Sequence, residues 1–157
     1  MTDLLVKLYA LPPLGIEINK QLIQGITIRR AIAPEKHLVV NWVRDNFNLF
    51  WMSECDVAFH NLPVSCWIAI ENEKIIGFAC YECTCKNFFG PMGVLEIAQG
   101  RGIGKGLLLS CLNDMSVQGY AYAIIAGVGP KEFYCKVVGA IEIKDSTPGI
   151  YKGMLQQ

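Results

Sequence analysis

The segment Gln99-Gly100-Arg101-Gly102-Ile103-Gly104-Lys105-Gly106 has residue types and spacing that point to chemistry. It follows a short apolar run, Val94 to Ile97. It opens a stretch in which Ile103, Leu107, Leu108, Cys111, Leu112 and Met115 share one helical stripe, stopped at Gly119. A glycine-rich turn from a strand into a helix presents free backbone N–H groups and the positive end of a helix dipole, which together bind anions. Phosphate is the obvious anion. Glycine is needed where a side chain would block the approach or forbid the backbone angles, and four glycines in seven residues, at 100, 102, 104 and 106, exceed the needs of a turn. Arg101 and Lys105 are either further phosphate partners or solvated charges.

The spacing excludes two rival phosphate sites. A dinucleotide fingerprint needs glycines at relative positions one, three and six, which would require glycine at Lys105 or at Leu107. A P-loop needs Gly-Lys-Ser/Thr after four free positions, whereas Gly104-Lys105 is followed by Gly106 and position 99 is Gln. The pattern that fits is Gln/Arg-x-x-Gly-x-Gly/Ala, as Gln99, Gly102 and Gly104.

On that pattern the chain resembles the GNAT superfamily of N-acetyltransferases. Val94 to Leu109 resembles the family's cofactor-binding strand, loop and helix, and Phe133 to Ala140 resembles its second conserved segment, an aromatic-Tyr run on the following helix. The motif likeness covers about Gly93 to Ile143. It implies an α/β fold, with a mixed sheet of about six or seven strands flanked by helices. It also implies that acetyl-CoA lies where the fourth and fifth strands splay apart, pantetheine pairing with the fourth-strand backbone. Carried over, that strand is Val94 to Ile97 and its neighbour Ala121 to Ala126. The expected cofactor contacts are then Val94, Leu95, Gln99, Gly100, Arg101, Gly102, Ile103, Gly104, Lys105 and Gly106. Gly127 stands where the family often has an asparagine, which removes one side-chain contact to the cofactor.

The resemblance also assigns Tyr134 as the acid that protonates the departing thiolate. On periodicity alone it would pack in a stripe with Phe133, Val137 and Val138. Attack by an amine further requires a base or a water chain to remove the ammonium proton. Glu96, in the cofactor strand, and Glu82, after the hairpin, are the candidates, and Glu96 is taken beside Tyr134 as catalytic. His37 and His60 read as surface or satisfied helix residues. Trp51, Glu54, Tyr81 and Phe88 are expected to line the acceptor pocket, where aromatic faces beside a carboxylate suit a cationic amine or an amino sugar.

The elements that must hold these residues follow from hydrophobic period. Leu4 to Leu11, closed by Pro12-Pro13, reads as a strand or an arm, and Ile26 to Ile32 as a first core strand. Pro34 opens two amphipathic helices between about Glu35 and Asn61. Cys66–Ile70 and Ile75–Tyr81 form an antiparallel hairpin around Glu71-Asn72-Glu73-Lys74. A turn is expected at Phe88 to Pro91, a buried strand at Ala121–Ala126, and a helix from Pro130 to about Gly139. Strands are expected at Ala140–Lys144 and Ile150–Leu155. This order describes one α/β domain, 1–157, with a mixed sheet.

Composition bounds the partners. Lys+Arg and Asp+Glu are both 14 in 157 residues, which leaves no field to collect nucleic acid or an anionic membrane. No apolar run approaches the about 18 residues of a membrane span, and Asp3 and Lys7 interrupt any signal peptide, so a cytoplasmic protein is expected. Seven cysteines cannot all pair, and reduced thiols are expected. Cys80, Cys83 and Cys85 read as strand cysteines rather than a zinc site, since Cys80 faces opposite to the other two, and no metal is expected. The expected activity is transfer of acetyl from acetyl-CoA to a primary amine of a small molecule, by direct attack in a ternary complex. The alternative is a GNAT-fold module that senses acyl-CoA without turnover. The apolar arm, Leu4 to Leu11, is expected to cover a sheet edge of its own chain or of a second subunit, as in a homodimer.

Overall fold

The computed structural model describes residues 1–156. The first strand, β1 (Asp3–Lys7), buries Leu4 and Val6 completely. After a 3-10 turn at Leu8–Ala10 and two prolines, α1 (Leu14–Ile23) begins, a helix that hydrophobic period does not announce. Its buried residues are Glu17 and Gln21, while Ile16, Leu22 and Ile23 are exposed. Leu14 and Ile18 pack against the core beside Glu17 and Gln21, so the buried stripe is mixed rather than apolar throughout. β2 (Ile26–Arg30) follows, ending two residues short of the expected Ile32.

A 3-10 turn over Ala33–Glu35 leads into α2 (Lys36–Asn46), and α3 (Leu49–Ala58) is capped by Asn48, whose side-chain oxygen accepts from Trp51 N at 2.8 Å. β3 (Cys66–Glu71) and β4 (Lys74–Tyr81) form the expected hairpin. Its two loop residues, Asn72 and Glu73, both have positive φ (49° and 62°), the geometry whose twist matches that of the flanking strands.

β5 (Phe88–Val94) corrects the sequence reading. The Phe-Phe-Gly-Pro segment is strand rather than turn, and Val94 ends the strand rather than beginning it. Ala79 pairs with Met92 and Tyr81 with Phe89, so Gly90 and Pro91 together oppose Cys80. A bulge of this kind accommodates a proline that cannot donate to the ladder, and Gly90 supplies the positive φ of 119°. Glu96–Ala98 is a 3-10 turn, and α4 (Ile103–Val117) buries all six residues of the expected stripe.

β6 (Tyr122–Ile125), α5 (Lys131–Val138) and β7 (Ile141–Ile143) complete the regular elements. Gly139, at φ 63°, ends α5 in the left-handed region. The expected strand at Ile150–Leu155 is absent; Pro148-Gly149 turns the chain into a 3-10 segment, Gly149–Tyr151.

The seven strands form one sheet in the order β2-β3-β4-β5-β6-β1-β7. β1 is therefore an interior strand of its own chain's sheet, antiparallel to both β6 and β7, rather than an arm over an edge. Helices α1, α4 and α5 cover one face, and α2 and α3 the other. Along β4, Phe78 and Cys80 enter the α2/α3 side while Ala79 and Tyr81 enter the α4 side. No helix among the described residues is long and apolar enough to cross a membrane.

Candidate active site

Among the described residues the only parallel junction in the sheet joins β5 to β6, through two residue pairs, Phe88 with Ile124 and Phe89 with Ile125. Beyond them β6 ends while β5 runs on to Val94, so the strands part and leave a wedge. Leu95 N donates to Ile76 O at 3.0 Å on the β4 side. Alternation then turns the backbone groups of Val94 and Met92 the other way, toward the wedge. Gln99 Nε2 donates to the Val94 carbonyl at 3.2 Å and ties the turn back to the strand.

The turn opens α4. Gly100 and Gly102 have φ of 78° and 82°, left-handed conformations that favour glycine. The first backbone bond of α4 is Gly106 N to Gly102 O at 3.1 Å, and the N–H groups of Ile103, Gly104 and Lys105 have no acceptor among the described residues. A Cβ on Gly104 would meet the Phe133 ring at 3.7 Å and Met92 and Val94 at 4.0 Å, ordinary contacts at the edge of the wedge. The other glycines answer to packing. A Cβ on Gly106 would lie 2.6 Å from Ile28 Cδ1, and one on Gly102 would lie 3.0 Å from Gln21 Nε2.

Both cations of the turn are already paired. Arg101 donates to both carboxylate oxygens of Glu71, at 2.6 and 3.1 Å, and Lys105 Nζ lies 2.9 Å from Glu17 Oε1. Lys105, and secondarily Lys20, hold the Glu17 carboxyl below the usual carboxylate range against the cost of its burial. Gln21 and Gln24 donate to the Arg101 carbonyl at 3.0 and 3.1 Å, so α1 braces the turn from behind.

A cavity of about 980 Å³ continues the wedge. β5 contributes Phe88 to Met92, the exit from β6 contributes Ile125 to Pro130, and α3 contributes Trp51 and Glu54. Tyr134 enters from α5, and Tyr151 and Met154 from the C-terminal stretch. The Tyr134 phenol is pushed up to about 12 by burial, its ring is edge-on to Phe89 and Phe133, and its hydroxyl has no hydrogen-bond partner among the described residues. Burial also raises the Glu54 carboxyl, partly offset by the Thr84 hydroxyl that donates to it.

Of the residues singled out from sequence, Trp51, Glu54, Phe88 and Tyr134 converge on this cavity. Tyr81 and Glu96 are not among its lining, and the ten expected cofactor contacts, Val94, Leu95 and Gln99 to Gly106, lie outside it as well. Tyr81 is 1% exposed on the α4 face of β4, where its hydroxyl donates to Asp114 at 3.2 Å and accepts from Gln118 at 2.8 Å. Arg30 and the Trp67 indole N–H converge on the same Asp114 oxygen, at 2.8 and 2.7 Å, so Tyr81 belongs to a structural network. Glu96 is an exposed residue of the 3-10 turn. Asp3 Oδ1 accepts from Gly127 N at 3.1 Å, which orders the backbone after β6 without a side chain there.

Thr84, Tyr151 and Met154 line the cavity without having been anticipated. The Pro148-Gly149 pair is the signal that could have turned the C-terminal stretch from strand to loop. The Cys80-Cys83-Cys85 run is also redistributed: Cys80 groups with Cys55 and Cys66, all three fully buried with sulfurs within 4.8 Å of one another.

Residues 63–139 match the acetyltransferase (GNAT) domain family. The chain belongs to the GNAT superfamily. The GNAT fold extends over most of it. It is similar to the glucosamine N-acetyltransferase region of a fungal multi-domain β-N-acetylglucosaminidase, with a TM-score of 0.73 and 17% identity, over 90% of this chain and 19% of that one. It is similar to a GCN5-related N-acetyltransferase from Sphaerobacter thermophilus, with a TM-score of 0.70 and 19% identity, over 90% of this chain and 48% of that one. A GNAT acetyltransferase from Brucella melitensis, solved with acetyl-CoA, gives 0.54 and 19%, over 69% of this chain and 80% of that one. The chain thus spans about a fifth and about half of the first two, and at these identities the likeness is one of fold. No curated protein matches it significantly.

Proposed function

We propose that this GNAT protein transfers acetyl from acetyl-CoA to a primary amine of a small molecule, by direct attack while both substrates are bound. The observation that carries this reading is the wedge between β5 and β6, where Met92 borders both the open side of Gly104 and the cavity. Unpaired amides at the start of α4 open it, the unpartnered edge of β5 forms its wall, and the free hydroxyl of Tyr134 and the carboxylate of Glu54 share its cavity.

The residues present fit the coenzyme. Gly104 leaves its approach to the α4 amides open, and those amides with the helix dipole suit a pyrophosphate. Because Arg101 and Lys105 are committed to Glu71 and Glu17, the backbone rather than these side chains is the main phosphate ligand. Gln99 holds the turn against β5, and Met92 and Val94 offer the strand edge along which an extended amide chain pairs. When bound, acetyl-CoA supplies the activated acyl group and a thiolate leaving group.

Glu54 takes one proton from the incoming ammonium, giving a neutral amine and a neutral carboxyl, for which its raised pKa suits it. The amine nitrogen then bonds to the acyl carbon as the carbon–sulfur bond breaks. Tyr134 gives its proton to the sulfur and is restored by the second proton of the nitrogen. The net products are an amide, a free thiol and one proton, which leaves through Glu54.

Thiol release from acetyl-CoA over a panel of primary amines, with calorimetric titration of CoA, tests the reading. Amine-dependent release supports it. Tight CoA binding without release on any amine replaces it with an acyl-CoA sensor.

A further inference from the structure

Glu54 is the only charged side chain among the described residues that line the cavity, and no lysine, arginine or histidine is among them. Around it stand Phe50, Trp51, Val57, Phe88, Tyr151 and Met154. Phe50 and Val57 are 43% and 40% exposed, so apolar surface of α3 is left uncovered within the cavity. From this juxtaposition we infer that the acceptor is a primary amine with a single positive charge on an apolar, preferably aromatic, body, of the phenylethylamine type. The inference rests on the transferase reading of the same cavity and narrows it.

One carboxylate balances one ammonium. An acceptor with a carboxylate or phosphate of its own would bring that charge to a lining without a cationic side chain, where a desolvated, unpaired charge is strongly disfavoured. Free amino acids and phosphorylated sugars are therefore disfavoured. A polyamine would leave a second ammonium without a partner. An amino sugar, the acceptor suggested by sequence, would surrender the hydration of several hydroxyls to a lining dominated by aromatic and aliphatic side chains. An apolar body gains from the same wall, and its ammonium can lie against the Trp51 and Tyr151 rings while paired with Glu54. The raised Glu54 pKa accords with this: burial penalises the carboxylate until a cation arrives.

The test titrates the CoA-loaded protein calorimetrically with phenylethylamine, hexylamine, glucosamine, glycine and spermidine, and measures thiol release from acetyl-CoA with each. Phenylethylamine and hexylamine are expected to bind at least about tenfold more tightly than the other three. Glu54→Gln should weaken phenylethylamine at least about tenfold while leaving CoA affinity, and hence the fold, as in the parent. Tighter binding of glucosamine, glycine or spermidine overturns the inference and leaves the transferase reading intact if they release thiol. Selective binding of phenylethylamine without thiol release from any amine upholds the chemical class of the ligand and removes the transferase reading. If no amine binds, both are wrong.

Discussion

Lys105, in the first turn of α4, is paired at 2.9 Å with Glu17 of α1, whose side chain is only 7% exposed. The pair fastens the glycine-rich turn to an element nearly 90 residues earlier in sequence. It also lowers the positive charge beside that turn. Glu17→Gln keeps the volume and frees Lys105, so affinity for CoA should rise severalfold at low salt, with a steeper loss as salt is added. Calorimetry at two ionic strengths reads this. Unchanged affinity and salt dependence would mean that Lys105 does not reach the phosphates.

The same pair sets a pH dependence of stability. The Glu17 pKa is lowered in the folded state, chiefly by Lys105, so its contribution is complete above the ordinary value of 4.5 and is lost as pH falls through the folded-state value. Thermal melts from pH 7 downward should show the parent losing stability below about pH 4.5 more steeply than Glu17→Gln. Parallel curves would contradict the assignment.

Gly104 and Gly106 separate binding from packing. Gly104→Asp meets only ordinary contacts, at 3.7 Å and beyond, so the fold should survive while the added carboxylate repels pyrophosphate and weakens CoA by at least about tenfold. Gly106→Ala places a methyl 2.6 Å from Ile28 Cδ1 and should cost about 1–3 kcal/mol of stability with a smaller effect on CoA. The reverse assignment of effects would show that the open side of the turn has been misread.

Tyr134→Phe removes a hydroxyl that bonds to no other described residue, so stability should hold. Loss of the proton donor should lower kcat by at least about tenfold with little change in CoA affinity. Equal kcat in both proteins would remove Tyr134 from the chemistry.

Thr84 tunes Glu54. Its hydroxyl lowers a carboxyl pKa that burial raises, so Thr84→Val should raise it further and move the acidic limb of the kcat/KM profile to higher pH. Glu54→Gln should abolish that limb. A limb that stays in place in both variants would assign the base elsewhere.

Sequence period disclosed most of the fold because most elements bury an apolar stripe: the hairpin, α4 and the two helices around Trp42 and Trp51 all do so. It failed at α1, which buries Glu17 and Gln21 and exposes Ile16 and Ile23. It failed also at β5, where Gly90-Pro91 signals a turn and a bulge keeps the strand intact. In the site, spacing located the turn but could not separate Gly104, open to a ligand, from Gly102 and Gly106, hemmed in by Gln21 and Ile28. Strand alternation displaced Tyr81, since its neighbour Cys80 takes the opposite face. Thr84 and Tyr151 depend on loop conformation, to which no periodicity applies.

The place of β1 between β6 and β7 has a consequence for how the molecule is made. Its residues 3–7 pair with 122–125 and 141–143, across almost the whole chain. Loop closure of that length comes late and slowly, and during synthesis β1 leaves the ribosome well before β6 and β7 and has no partner until they follow. Leu4 and Val6, fully buried at the end, spend that interval exposed beside two open backbone edges. The nascent domain is therefore most prone to stray pairing at β1, and a chaperone that shields that strand should raise the yield of folded chains.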